Sequence, residues 1–288
     1  MPKVSIVVPT CNRPEMLGKA LQSILSQSFQ DFEVIVVDDG DEALAREVVQ
    51  KYNDFRITYI KHELPRKGGG AARNTGIKKA KADVIAFLDD DDTWNAEKLE
   101  EQYHALIAET PDVGFSYTAV NKLETKGISA TSVAEGARDL HLVTLTRFKG
   151  FLTSTLLVKK EVFEKVGYFD EALPSHQEAE LILRITQKFK GLGINKPLTT
   201  MNLLPHKHIG ADIARRIEGR LLVLEKHKSL FGKFPRKLAR HYFWVGLWYR
   251  DSAELNQSRR YFLKSFLLSY SPLCLAHWFR TFFIFKSV

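Results

Sequence analysis

Four consecutive aspartates at the end of an apolar run constrain this chain more than any other feature of its sequence. Residues 84–94 read VIAFLDDDDTW, a strand-like segment followed at once by Asp89, Asp90, Asp91 and Asp92. A protein core does not accept that much unpaired negative charge, because neighbouring carboxylates repel and each needs a cation or a proton. Carboxylates at a strand end suit a hard divalent ion, and Mg²⁺ typically takes one or two of them together with substrate phosphates. The alternative is a solvated loop in which Asp92 caps the next helix.

The segment before these acids alternates between strand-like and helix-like patterns. Residues 4–8 form a β-branched apolar run that is typical of a strand buried on both faces, and Pro14 is well placed in the first turn of a helix. Further patterns predict strands at 34–37 and 57–60 and helices at 42–52 and 71–80. This alternation predicts an α/β fold, a parallel sheet with helices on both faces, which binds ligands at the carboxyl ends of its strands.

A second acidic site follows another predicted strand. Asp38 and Asp39 come directly after the apolar run at 34–37, so they share an edge of the predicted sheet with the acids at 89–92. Two separated acidic sites on one edge suggest an elongated anionic ligand. One set can accept hydrogen bonds from a base or ribose, and the other can hold a metal that neutralises a diphosphate.

A glycine-rich basic loop lies between the two acidic sites. Its sequence, RKGGGAARNTG at 66–76, permits close backbone approach, while Arg66, Lys67 and Arg73 supply charge that can face phosphates. It matches neither the dinucleotide fingerprint nor the P-loop. A flexible turn with a solvated basic edge is the alternative interpretation.

Five segments together resemble the family 2 glycosyltransferases in order and spacing, over residues 3–210. They are SIVVPTCNRP, VIVVDDG, GGGAARNTGI, VIAFLDDDDTW and YFDEALPSHQEAELILRI. The resemblance implies a GT-A fold, Rossmann-like with a mostly parallel sheet, and a nucleotide-sugar donor lying across the sheet edge. It implies that the donor is contacted by Pro9, Thr10 and Cys11 at the base, by Asp39 at the base or ribose, and by Arg73.

The family's DXD-type motif maps onto residues 89–91. By the resemblance, Asp91 is our first choice for direct contact with Mg²⁺ or Mn²⁺, while Asp90 and Asp89 lie nearer the ribose and sugar, with Asp89 a further candidate ligand. His208, in the sequence PHKHIG, is a third candidate for the metal or the diphosphate; ordinary loop chemistry is the alternative for this histidine.

Inverting sugar transfer needs a base that removes a proton from the attacking hydroxyl. Family members place an acid there, followed by a second acid and a helix ending in LR, and this chain reads SHQEAELILR at 175–184. Glu178 falls on the base position and Glu180 on the second acid, which we predict to contact the donor. The commoner residue at both positions is Asp, so each side chain here is one methylene longer. Exposed acids on an amphipathic helix are the alternative interpretation.

Charge is distributed unevenly along the chain. Residues 213–288 hold 15 Lys or Arg against 4 Asp or Glu, whereas residues 1–212 hold 27 against 30. We therefore expect a GT-A domain at 1–212 and a basic, aromatic-rich helical tail at 213–288, with candidate helices at 215–227, 237–250 and 252–269. Basic residues mixed with Trp and Phe at 277–285 are typical of a membrane interface, but they also suit packing within a small helical unit. The basic residues show no nucleic-acid-binding motif, so we expect no nucleic acid partner.

The remaining sequence features bear on the compartment. Cys11 and Cys274 are the two cysteines, and they imply no disulfide framework. The first strand begins so early that we expect no signal peptide. These features predict a cytoplasmic protein, peripheral on the inner face of the membrane if the tail binds lipid.

The resulting hypothesis is a metal-dependent inverting glycosyltransferase of the hexosyltransferase type. It would move a sugar from a UDP-sugar to a hydroxyl of a glycan or lipid-linked acceptor in bacterial surface polysaccharide biosynthesis. Two rivals remain. A nucleotidyltransferase would show a glycine-rich basic signature where this chain has PTCNRP, and a non-catalytic sugar-binding scaffold would lack the base.

Overall fold

The computed structural model describes residues 1–63, 67–148, 151–204 and 212–283. Their contacts separate them into two compact units. The first comprises the described residues within 1–140, 149–171 and 177–206, and the second those within 141–148, 172–176 and 207–288.

A mixed sheet forms the centre of the first unit. Within the described residues its strands are β1 (Val4–Thr10), β2 (Phe32–Asp38), β3 (Ile57–Lys61), β4 (Val84–Phe87), β5 (Thr93–Trp94), β6 (Val113–Glu124), β7 (Gly127–Ala130), β8 (Gly136–Arg138), β9 (Leu157–Lys159) and β10 (Lys190–Asn202). The main path runs β3-β2-β1-β4-β9-β6-β10-β5, with β7 paired to β6 and β8 to β10. The first four strands of this path are parallel, as predicted. The short strand β9 is antiparallel to both β4 and β6, a reversal that no sequence pattern indicated.

The helices, in chain order, are α1 (Pro14–Leu25), α2 (Leu44–Tyr52), α3 (Gly69–Lys79), α4 (Lys98–Ile107), α5 (His141–Thr144), α6 (Lys160–Val166), α7 (Gln177–Ile185), α8 (Ile213–Lys226), α9 (Lys228–Gly232), α10 (Pro235–Asp251), α11 (Leu255–Ser269) and α12 (Pro272–Arg280). Pro14 begins α1 as predicted, because its fixed φ and missing N–H suit the first helical position. The alternating strand and helix pattern confirms the predicted α/β class.

Apolar side chains of β1 alternate between the two faces of the sheet. Ile6 and Val8 belong to a buried cluster with Leu21 of α1, whereas Val7 belongs to another with Ile77 of α3. Burial on both faces explains why the strand reads as a continuous apolar run.

Helix α3 approaches the sheet closely at a glycine. A Cβ atom on Gly76 would lie 2.3 Å from Cγ1 of Val7, far inside van der Waals contact. Glycine at this position therefore lets α3 lie against β1, and this packing fixes the segment that carries Arg73.

The second unit is helical, with a small core of its own. Ile217, Val245, Trp248 and Tyr261 are buried together, on α8, α10 and α11. The helices predicted at 215–227, 237–250 and 252–269 correspond to these three. Among the described residues, we find no helix with the length and hydropathy needed to cross a bilayer.

Candidate active site

Adjacent parallel strands bring the predicted site residues of the first unit to one edge. β1 pairs with β2 on one side and with β4 on the other, and Thr10 lies opposite Asp38 in the register. Because parallel strands end at the same edge, Thr10, Asp39 and the acids at 89–92 converge there. The predicted acidic edge therefore exists in the folded chain.

Asp90 lies in the buried part of this edge. Its carboxylate accepts a hydrogen bond from Thr10 Oγ1 at 2.8 Å and one from the Arg13 guanidinium at 3.0 Å. Burial raises the pKa of Asp90 to about 6, although Arg13 and Thr10 favour its charged form. The predicted residues Thr10 and Asp90 thus contact each other directly.

Arg13 is a site residue that the sequence analysis missed. Its guanidinium contacts Asp91 Oδ2 at 3.0 Å as well as Asp90, so one cation bridges two of the four acids. The signal was present as the arginine of the PTCNRP segment, three residues after the end of β1. Its pairing spans more than seventy residues of sequence and so required the fold.

Asp89 pairs with Arg73 of α3. The distance between Arg73 Nη2 and Asp89 Oδ1 is 2.5 Å, and the guanidinium also lies over the Phe169 ring at 5.6 Å. Burial opposes the charge of Arg73, but Asp89 and Glu178 outweigh it, so the pKa of Arg73 is raised. The Asp89 side chain remains 30% exposed. Arg73 and Asp89, both predicted donor contacts, therefore form one charged pair in which Arg73 is buried and Asp89 is partly exposed.

Asp92 is held by Ser154, a second residue that the sequence analysis missed. Ser154 Oγ donates to Asp92 Oδ2 at 2.6 Å and accepts the Asp89 backbone N–H at 3.1 Å, while the Ser154 carbonyl accepts Trp94 Nε1–H at 2.8 Å. Burial, followed by repulsion from Asp89, raises the pKa of Asp92 to about 8. Asp92 therefore anchors the acidic segment to Ser154 and does not cap a helix.

Replacing Ser154 with alanine is expected to lower the free energy of unfolding by about 1–3 kcal/mol, because it leaves buried polar atoms of Asp92 and Asp89 without a partner. Chemical denaturation measures this change. Ser129→Ala, on the exposed strand β7, is the control and should change stability by less than about 0.5 kcal/mol. Equal losses in both variants would contradict a special role for Ser154.

Asp39 supports the glycine-rich loop. Its carboxylate accepts the backbone N–H of Lys67 at 3.0 Å and of Gly68 at 2.7 Å, and it contacts His62 Nδ1 at 2.8 Å. Cys11 Sγ donates to the Asp39 carbonyl at 3.6 Å. These bonds hold the start of α3 beside the sheet edge; contact of Asp39 with a base or ribose stays a prediction.

Two predicted base contacts differ in exposure. Pro9 is buried within β1, opposite Val37, whereas Cys11 is exposed just beyond the strand. Of this pair, Cys11 is the one whose side chain is available to a ligand.

Glu178 lies in the first turn of α7, in the electrostatic field of Arg73 and Asp89. Burial raises the pKa of Glu178; Arg73 works against that rise and Asp89 adds to it. A carboxyl group with a raised pKa is a stronger base than an exposed one once it has lost its proton. The fold thus brings the predicted base within electrostatic range of Arg73 and Asp89.

Glu180 has a different environment from the one predicted. Its side chain has 0% exposure, and both carboxylate oxygens accept hydrogen bonds from Arg184, at 2.7 to 3.0 Å. Arg184 also donates to the carbonyl oxygens of Val166 and Tyr168. Arg184 thereby ties α7 to the end of α6 and the residues after it, so the geometry favours a structural role for Glu180 over the predicted donor contact. Nor is Glu180 the exposed acid of the alternative interpretation.

The site suits a metal that takes only part of its coordination from the protein. Within residues 1–63, 67–148, 151–204 and 212–283 there is no group of three or more His, Cys, Asp or Glu side chains arranged to hold an ion. Mg²⁺ and Mn²⁺ accept carboxylate oxygens, and Mg²⁺ commonly keeps water and substrate phosphate as its other ligands. The partly exposed carboxylates of Asp89 and Asp91 fit such an ion. The candidate ligand His208 lies outside the described residues.

The fold and the acidic edge define a class of protein, the GT-A glycosyltransferases. Two solved structures share the fold of nearly the whole chain. TarS 1-349 of S. aureus in complex with UDP-GlcNAc has a TM-score of 0.67 and 18% identity, and the match covers 97% of this chain and 89% of that one. A mannosyltransferase of Pyrobaculum calidifontis in complex with GDP-Man and Mn²⁺ has a TM-score of 0.62 and 17% identity, covering 99% and 81%.

Residues 5–167 match the family described as Glycosyl transferase family 2, and the chain belongs to this family. An uncharacterized glycosyltransferase of Haemophilus influenzae is 33% identical over 201 residues, which cover 68% of this chain and 67% of that protein. The Escherichia coli protein WfaP, named as a UDP-Glc:alpha-D-GlcNAc-diphosphoundecaprenol beta-1,3-glucosyltransferase, is 30% identical over 58% of this chain and 65% of its own length.

Proposed function

We propose that this glycosyltransferase moves a sugar from a UDP-sugar to a hydroxyl group of a lipid-linked or growing glycan, with inversion at the anomeric carbon. The name of WfaP includes a UDP-sugar donor and a lipid diphosphate acceptor, and TarS was solved with UDP-GlcNAc. Both support this choice of donor class, and WfaP supports the acceptor class. Polysaccharide assembly is the process in which such an acceptor is used.

The observation that carries the proposal is that Glu178, in the first turn of α7, lies within electrostatic range of Arg73 and Asp89. A general base must be ionised when it acts and basic enough to accept a proton, and the raised pKa of Glu178 brings it closer to that balance. The cation of Arg73 works against the rise, because it favours the charged carboxylate.

In the proposed reaction, a carboxylate oxygen of Glu178 takes the proton of the acceptor hydroxyl. The hydroxyl oxygen forms a bond to the anomeric carbon while the bond from that carbon to the diphosphate oxygen breaks. The electron pair of that bond leaves with the nucleoside diphosphate, on the opposite face of the sugar. Arg73 is a candidate to face the developing negative charge, because its Nε is buried and has no hydrogen-bond partner among the described residues.

A bound Mg²⁺ or Mn²⁺ would supply charge stabilisation for the leaving diphosphate. Asp91 and Asp89 are the residues we assign to hold it. Arg13 contacts Asp91 in the structure described here, so we propose that the ion and Arg13 share this carboxylate. The P. calidifontis mannosyltransferase, which was solved with Mn²⁺, supports metal use in this fold.

We further propose contact between the tail and a membrane surface on the cytoplasmic side. Exposed apolar side chains accumulate on α11, α12 and the residues after them, including Leu267 at 58% and Phe283 at 75% exposure. The tail is also strongly basic, which favours an anionic leaflet. Other aromatics of the same region pack internally, since Trp278 contacts Phe279 and Phe282. Both predicted uses of the aromatic run therefore have support.

Asp91→Asn is expected to weaken Mn²⁺-dependent donor binding at least tenfold, because it removes one charged metal ligand. The measurement is a thermal-shift and slow-hydrolysis screen of purified protein against a panel of nucleotide sugars, with Mn²⁺ and with EDTA. Asp112→Asn removes a surface aspartate that is paired with Lys190, and this control should leave the metal response unchanged.

The same screen separates the rival functions. Stabilisation or hydrolysis with one nucleotide sugar, lost in Asp91→Asn, supports the proposal and names the donor. Binding of free nucleotides without any nucleotide sugar would favour a nucleotidyltransferase. Donor binding with no turnover by any acceptor, unchanged by substitution of Glu178, would favour a sugar-binding scaffold.

A further inference from the structure

The second unit contains a cluster of cations that has no carboxylate partner among its described residues. We define the Arg216–Arg220 cluster as Arg216, Arg220, His176, Trp248 and Phe148. Arg220 is 3% exposed, yet neither arginine side chain of the cluster forms an ion pair or a hydrogen bond within the described ranges. Buried charges in proteins are normally paired, so this arrangement calls for a counter-ion.

Aromatic rings hold both guanidinium groups in place. The guanidinium carbons of Arg216 and Arg220 lie 4.5 Å and 4.4 Å from the centroid of the Trp248 ring, and Arg220 also lies 5.2 Å from the Phe148 ring. His176 stacks on Trp248 with its centroid 6.2 Å away. Cation–π contacts offset part of the desolvation of each charge, but they leave the N–H groups in the guanidinium planes unused.

Two buried nitrogen atoms of the cluster lack hydrogen-bond partners among the described residues, which indicates a missing ligand. Nε of Arg220 and Nε2 of His176 are both buried and have no hydrogen-bond partner in the described part of the chain. Burial, with a further contribution from Arg216, lowers the pKa of Arg220 to about 9. The like charges of Arg216 and Arg220 repel each other, and a bound anion would offset that repulsion.

Access to the cluster is possible from its outer side. Arg216 and His176 are partly exposed, unlike Arg220 and Trp248, which are buried. The Arg216 guanidinium is therefore the part of the cluster that an anion in solution meets first.

We propose that the Arg216–Arg220 cluster binds a phosphate group, and specifically a diphosphate. Guanidinium groups bind phosphate oxygens through two parallel hydrogen bonds, and two such groups on one ring match the charge of a diphosphate better than that of a single carboxylate. All five residues belong to the second unit and none to the acidic edge of the first, so this is an additional site. The diphosphate has two possible sources, a free anion or the headgroup of a lipid diphosphate.

The test is calorimetric titration of the full chain with inorganic pyrophosphate in excess EDTA. Arg216→Gln removes the more exposed cation and is expected to weaken binding at least tenfold. Arg215→Gln removes the neighbouring exposed arginine of the same helix and should leave the affinity within twofold. Equal affinities in the wild type and Arg216→Gln, or equal losses in both variants, would overturn the proposal.

A second variant guards against a folding artefact. Arg220→Lys keeps the charge but loses the planar pair of donors, so about tenfold weaker binding is expected from a protein that still unfolds cooperatively. Unchanged pyrophosphate affinity in Arg220→Lys as well as in Arg216→Gln would rule out the site. Thermal unfolding of each variant establishes that it is folded.

A third titration identifies the source of the diphosphate. A short isoprenyl diphosphate that binds at least tenfold more tightly than pyrophosphate, with the same loss in Arg216→Gln, assigns the site to a lipid headgroup. Equal affinities assign it to the free anion. UDP-sugar binding with Mn²⁺, measured on Arg216→Gln, is expected to be unchanged, so failure of this site and failure of the proposed donor site give different results.

Discussion

Replacing Glu178 with glutamine is expected to slow sugar transfer by about 10²- to 10⁴-fold, the usual contribution of a positioned general base. Glutamine keeps the shape of the side chain, but it cannot accept the proton. Donor binding should therefore stay within about threefold of the wild type. Initial rates of transfer and donor affinity, both measured on the purified variant, check the two halves of this expectation.

The pH dependence of kcat/KM is a second test of Glu178 as the base. The base works only when ionised, and burial raises the pKa of Glu178 above its ordinary value of 4.5. As the pH is lowered, kcat/KM of the wild type should accordingly decline with a midpoint above pH 4.5. This decline should be absent in Glu178→Gln. Glu178→Asp, the commoner residue by the family resemblance, is the matched control and should keep the limb at reduced rate, because the carboxylate is shortened by one methylene. A full-rate Glu178→Gln enzyme would show that another group is the base.

Replacing Arg184 with alanine is expected to lower the free energy of unfolding by about 3–5 kcal/mol. Glu180 has 0% side-chain exposure, and Arg184 is its bidentate partner. Removal of Arg184 leaves a buried carboxylate uncompensated, and it also frees two carbonyl oxygens, those of Val166 and Tyr168. Urea denaturation followed by circular dichroism measures the loss.

The chain offers a matched control for this prediction. Lys165 and Glu161 form another pair four residues apart on a helix, but both side chains are about half exposed, so Lys165→Ala should cost less than about 1 kcal/mol. The double substitution Glu180→Met with Arg184→Met should recover much of the loss, because it removes both charges. If Glu180→Gln instead abolishes donor binding and leaves stability unchanged, Glu180 is a donor contact after all.

Local sequence patterns were sufficient for the elements that lead to the site. The β-branched run of β1 and the apolar runs of β2 and β4 are buried on both faces, and such strands need no partner information to be recognised. The polar residues directly after them had to meet at one edge, since parallel strands end together. The convergence of Thr10, Asp39 and Asp90 follows from these two rules.

The partners of each side chain were beyond the reach of the sequence. Arg13 meets Asp90 and Asp91 across more than seventy positions, and Ser154 meets Asp92 from a 3₁₀ turn about sixty residues further along the chain. Hydrogen bonds of this kind depend on a distance of about 3 Å between atoms that only the packed sheet brings together. The reversed strand β9, three residues long, gave too short a signal to be predicted.

The sequence by itself determined the α/β class, the acidic edge and the family, because these depend on periodicity, on strand-end chemistry and on ordered motifs. Only the tertiary structure decided that Glu178 lies within electrostatic range of Arg73 and Asp89, while Glu180, two residues later, is buried against Arg184. Successive positions on a helix point in directions about 100° apart. Which of those directions faces the site is set by the packing of α7, and no local pattern encodes it.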